Sequence, residues 1–174
     1  MTDPFAHHLR LDRIRDGDRV DLIADEAERS AVARRLGLGA LSCLEAHAVL
    51  SHKGDIVRAE GRLAASLVQS CVVTSEPVPA HIDEPFELIF MPEPPVDGSD
   101  QEVELGGGDL DVVFHDGAEI DLGGAIADTL ALAVNPYPRS ASAEAALREA
   151  GVLTEAEASP FAALAKLKKG SDGS

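Results

Sequence analysis

There is no tryptophan in these 174 residues, and five Phe and one Tyr are the whole aromatic complement. A core built by this chain must therefore be packed from Leu, Val, Ile and Ala, which keep the apolar fraction at 45%. Cysteine is equally scarce. Cys43 and Cys71 alone cannot make a disulfide framework or a Cys-rich zinc site. Two packed thiols in a reducing compartment are expected instead. No stretch approaches the roughly 18 apolar residues of a membrane span, and the N-terminus, with Asp3 and His7-His8, lacks the basic-then-apolar order of a signal peptide. These absences lead to the expectation of a cytoplasmic protein with no membrane partner.

Lys and Arg are missing from more than two-fifths of the chain. The formal net charge is −16, yet residues 1–62 hold ten basic and eleven acidic side chains and residues 139–174 hold five of each. Residues 63–138 hold fifteen acids and no Lys or Arg. Such a stretch repels phosphate, so it is a poor grip for nucleic acid and a better one for a basic partner.

The patterning reads as α+β. Phe5, His7, Leu9 and Leu11 alternate with polar or small residues as in a half-buried strand, and Arg19 to Ile23 forms a second short one. Asp25 with Glu28 three residues on is a capping box opening a helix that Gly37 and Gly39 end. Leu41 to Leu50, a turn at 51–55, and a run placing Val57, Ala59, Gly61, Leu63, Ala65 and Leu67 on one face predict a hairpin. A further strand carries Ile82, Phe86, Leu88 and Phe90, with Pro85 marking an edge or bulge. Residues 91–108 read as a long acidic loop. Extended pieces at 110–114 and 119–122 precede a helix over 122–134 that halts at Asn135-Pro136, and an Ala-rich helix near 142–150 follows.

Catalytic constellations fail on specific requirements. Gly106-Gly107-Gly108 leads to Asp109 instead of the Lys-Ser/Thr of a phosphate loop, and the acids near 97–104 lack calcium-loop spacing. Six histidines fall in five separate places without metalloprotease spacing. Cys71 is flanked by Val72 and Val73, which supply nothing to activate a thiol. No enzyme, cofactor, metal or small-molecule substrate is expected.

The segment Gln69 to Pro79, the strand from Ile82 to Phe90, then Glu119 to Gly124 and Leu130 to Pro138, resembles the YceD-type family of large ribosomal RNA subunit accumulation proteins, in its proteobacterial branch. The order and spacing match over roughly residues 5–140, and the helix Asp25 to Leu36 and the tail Pro160 to Lys168 also look like family features. The resemblance implies a non-enzymatic part in accumulating large-subunit (23S) ribosomal RNA, through contact with a ribosomal protein or an assembly intermediate. Cys71, Glu76, Pro77, Asp121 and Leu122 match the family motif and are the candidate partner surface. One departure matters: many relatives have Cys-x-x-Cys where this chain has Cys71 and Thr74, so any metal role of theirs does not carry over. Each motif residue also has a structural reading, with Cys71 in a core, Glu76 setting a turn before Pro77, and Asp121 capping the helix after it.

The expected architecture is an α+β domain over residues 1–140, built on an antiparallel sheet that could curl into a barrel, with two or three flanking helices. Residues 141–174 form a helical extension and tail. Two binding readings follow. In the first, the acidic middle holds a basic ribosomal component; in the alternative, N-terminal arginines, above all Arg58 and Arg62 on one strand face, contact ribosomal RNA directly.

Overall fold

The computed structural model describes residues 4–94 and 111–152. In chain order the elements are β1 (His8–Arg10), β2 (Arg19–Ile23), α1 (Glu26–Arg35), β3 (Ala40–Lys53), β4 (Ile56–Ser70), β5 (Pro77–Pro92), β6 (Asp111–His115), β7 (Glu119–Asp121), α2 (Leu122–Ala133) and α3 (Ala143–Glu149). A single 3-10 turn, Leu11–Arg13, follows β1. The α+β reading holds.

Local sequence accounts for most of these boundaries. The Asp25 carboxylate accepts the Glu28 backbone N–H at 2.8 Å, and the Glu28 carboxylate accepts that of Asp25 at 2.7 Å, closing the capping box of α1. Strands β3 and β4 pair antiparallel from Ala40↔Val68 to Lys53↔Ile56 around the two-residue Gly54-Asp55 turn, where Gly54 has φ +63°. The hairpin is thus longer than the 51–55 turn suggests.

Strands β2-β3-β4-β5-β6 form one sheet and β1-β7 a separate two-stranded one. One face of the larger sheet is the core. Leu44, Ala46, Ala48 and Leu50 meet Val57, Ala59, Leu63, Ala65 and Leu67, then Ile82, Phe86, Leu88 and Phe90, in the same buried cluster as Leu122, Ile126 and Leu130 of α2. Small residues let the layers approach. A Cβ on Gly61 would lie 1.8 Å from the His47 carbonyl oxygen, so the hairpin tolerates only hydrogen there.

Two expectations need correction. The sheet is mixed, because β5 and β6 pair parallel from Leu88↔Asp111 to Pro92↔His115. Alternation has the same period in either orientation, so only the pairing decides it. The sheet also does not close into a barrel among the described residues. Its edges, β2 and β6, are five residues each against 14 to 16 for the three central strands, and they are not neighbours. Pro85 is accommodated because β6 covers only Leu88–Pro92, so that β5 beside Pro85 has no pairing partner on that side among the described residues.

Of the expected acidic loop, Met91 and Pro92 complete β5, whereas 95–108 lie outside the described residues, as does the tail from 153 onward. The described residues divide into two compact units. The first comprises 4–69, 79–94 and 111–136; the second comprises 70–78 and 137–152.

Candidate functional site

The second unit is organised around Cys71. Where β4 ends, the chain folds back on itself: the Cys71 N–H donates to the Glu76 carbonyl at 2.8 Å and the Ser75 N–H to the Cys71 carbonyl at 2.9 Å. Ser75 adopts the left-handed φ of +61° that this closure demands, a conformation uncommon outside glycine. The returning chain is joined by the Val72 N–H, which donates to the Pro138 carbonyl at 2.9 Å. Cys71 is 3% exposed, and its Sγ accepts backbone N–H groups from Val73 and Thr74 at 3.4 Å and from Ser140 at 3.3 Å. Burial pushes the thiol up, but hydrogen bonds from Ser140 and Thr74 outweigh it and hold the pKa at about 6. An inert packed thiol is expected from Val72 and Val73; the donors come instead from backbone.

Beside the thiol lies a hydroxyl–carboxylate network. Glu76 Oε2 accepts the Thr74 hydroxyl at 2.9 Å and the Ser142 hydroxyl, while Ser140 Oγ lies 3.0 Å from Thr74 Oγ1 and 3.1 Å from Ser142 Oγ. Hydrogen bonds from Ser140, Ser142 and Thr74 hold the Glu76 carboxyl below its ordinary pKa. Pro77 then begins β5, exposed. Sequence spacing gives no sign of this network, because Ser142 is 66 positions from Glu76.

Asp121 and Leu122 belong to the first unit. Asp121 Oδ1 accepts the Gly124 N–H at 3.0 Å as the cap of α2 and the His7 N–H at 2.7 Å, and the Leu122 N–H donates to the His7 carbonyl at 3.0 Å. Leu122 is fully buried. These two residues tie the N-terminal segment to the start of α2.

The exposed face of the larger sheet places Arg58 and Arg62. Arg62 donates through Nε to Asp83 at 2.9 Å, and Arg58 Nη2 lies 2.9 Å from Glu87 and Nη1 3.4 Å from Glu60. His47, directly opposite Arg62 in register, places Nδ1 2.7 Å from Asp21. Asp21, His47, Arg62 and Asp83 therefore make a charge row across four strands. Elsewhere Asp128 pairs with Arg35 at 2.6 Å, Glu119 with His8 at 3.1 Å, and the Asp116 carboxylate accepts the Ala118 N–H at 2.9 Å. That backbone bond to Ala118 holds the Asp116 pKa low. No group of three or more metal-ligating side chains is arranged around a metal position among the described residues.

A family model described as "Large ribosomal RNA subunit accumulation protein YceD" matches residues 59–168. This chain belongs to the YceD family. The matched stretch contains Cys71, Glu76, Pro77, Asp121 and Leu122 together with Arg62, while Arg58 precedes it. No curated protein and no solved structure matches the chain. Within this YceD chain, Thr74, Ser140 and Ser142 are the site residues that sequence reasoning did not single out. No helix of the described residues is long and apolar enough to cross a membrane.

Proposed function

We propose that this YceD-family chain is a non-enzymatic, cytoplasmic ribosome biogenesis factor. It supports accumulation of 23S ribosomal RNA by holding a basic component of the large subunit, or of an assembly intermediate, on an acidic surface. The observation that carries this reading is the charge segregation within the family-matched stretch: fifteen acids and no Lys or Arg over residues 63–138. A surface of one sign attracts a partner of the other and screens it from competing phosphate. Direct RNA binding through Arg58 and Arg62 is disfavoured, since both guanidinium groups are paired to carboxylates of the neighbouring strand. Their charge is thereby offset where phosphate would approach.

The deciding experiment is a pull-down of tagged protein from lysate, with and without nuclease, over a salt series. The expected result is a basic large-subunit protein that survives nuclease and is lost as salt rises. Recovery of ribosomal RNA alone, abolished by nuclease and by Arg58→Glu with Arg62→Glu, would replace this reading with the RNA one.

A further inference from the structure

We infer that the cleft between α1 and the start of β3 receives the phosphate backbone of a single RNA strand, with Arg29 and Arg34 each taking a phosphate. This contact goes beyond the acidic-surface reading and stands whether or not that reading does.

The cleft has a volume of about 630 Å³ and lies wholly in the first unit. That volume is in the range of pockets that take ligand-sized groups, about 300–1,000 Å³. It exists because α1 stops at Gly37, whose φ of +66° turns the chain back, so that residues 38–42 line the same space as Glu26, Arg29, Ser30 and Arg34 of the helix. No aromatic residue lines it, so nothing there stacks on a base. What the cleft offers a nucleic acid is charge for its backbone, which carries no sequence information.

What sets these two arginines apart is the lack of a counter-ion. Arg10, Arg35, Arg58 and Arg62 are each held by a carboxylate at 2.6 to 2.9 Å. Neither Arg29 nor Arg34 has an ion-pair partner among the described residues, in a chain of 31 acidic and 15 basic side chains. Arg29 is half-buried, and its Nη1 donates to the Ala24 carbonyl at 2.6 Å, which anchors the guanidinium and leaves its other N–H groups for a ligand. A half-buried cation without a counter-ion favours an arriving anion, and the guanidinium fork matches phosphate. Arg34 is exposed and stands five positions on, about 7.5 Å along the helix axis. Arginines so spaced serve neighbouring phosphates of one strand and do not have to converge on a single group. Between them Ser30 carries an exposed hydroxyl with no hydrogen-bond partner among the described residues. Glu26 is the one acid among the lining residues, so positive charge is in excess there.

The test titrates the full-length, 15N-labelled chain with short oligouridylate and oligoadenylate, with a peptide nucleic acid, whose backbone is uncharged, and with an oligoglutamate peptide. The expected result is that both RNAs shift the backbone signals of 26–42 and the side-chain Nε–H signals of Arg29 and Arg34, and that the other two probes do not. Arg34→Gln should lower RNA affinity at least threefold and reduce the slope of log K against log salt by about 0.7, the share of one single-strand phosphate. Glu26→Gln should raise affinity, a gain that a merely structural helix face would not give. Arg148→Gln, at an exposed position of α3, should leave affinity unchanged. Arg29→Gln also loses the bond to Ala24, so the exposed Arg34 and Glu26 decide the matter. Equal affinity in Arg34→Gln would overturn the inference, as would binding lost only in Arg58→Gln with Arg62→Gln. So would the same shifts with oligoglutamate, which would make the cleft a seat for an acidic protein. None of these outcomes touches the acidic-surface reading, which the nuclease-resistant protein of the pull-down tests by itself.

Discussion

The backbone N–H of Ser140 donates to Sγ of Cys71 across 69 positions of sequence, at 3.3 Å. With the N–H groups of Val73 and Thr74 it makes three donors around one sulfur, an environment that suits a thiolate. The pH dependence has a definite sign. A thiol at about 6 in the folded chain and 9.0 otherwise adds stability in full above pH 9, and that stability is lost as pH falls through 6. In urea unfolding, the advantage of wild type over Cys71→Ala should therefore grow from pH 6 to pH 9. A difference that stays flat across this window would show that the sulfur stays protonated.

Asp121 satisfies two backbone donors with one oxygen, those of Gly124 and His7. Asp121→Ala should cost about 1–2 kcal/mol, the upper part of the range for a lost N-cap. Asp121→Asn keeps an acceptor oxygen and should cost less. Urea midpoints of the two variants check the order; equal losses would show that the negative charge, not the hydrogen bonds, matters.

Gly123 packs against the N-terminal segment so closely that a Cβ would fall 1.9 Å from the Phe5 carbonyl oxygen and 2.9 Å from the His7 nitrogen. Gly123→Ala should destabilise by about 1–3 kcal/mol, as overpacking does, in spite of alanine's better helix propensity. Denaturant titration measures the loss. Faster amide exchange at His8–Arg10 would locate it, since β1 is the strand displaced.

The Asp21 hydrogen bond raises the pKa of His47. A raised folded-state pKa adds stability that is complete below about 6.5, the unfolded value, and lost as pH rises through the folded one. Asp21→Asn should lower the His47 midpoint in an NMR titration. An unchanged midpoint would mean that the 2.7 Å contact does not persist in solution.

Much of this fold was legible because its signals are local. The capping box at Asp25 and Glu28 and the alternation from Val57 to Leu67 each place their own element. So does the proline after Asn135, beyond the end of α2. The parallel pairing of β6 was not legible, because Val112 and Val113 alternate identically beside any partner. The candidate site divides the same way. Cys71, Glu76 and Asp121 stand out as a motif, but their hydrogen-bond partners do not. Ser140, Ser142 and His7 lie tens of residues away and carry no pattern of their own.

The sequence by itself determined which segments are helix and strand, which faces are apolar, and that residues 63–138 carry acids without a single Lys or Arg. These follow from periodicity, capping and charge, which act over a few neighbouring residues or by simple sum. Only the tertiary structure decided what each polar group meets. It set Arg62 against Asp83, gave the Cys71 sulfur the Ser140 N–H, and turned the Gln69 amide to the Asn135 carbonyl. Hydrogen bonds and ion pairs act over about 3 Å, and it is the packing of distant segments that brings groups within that reach.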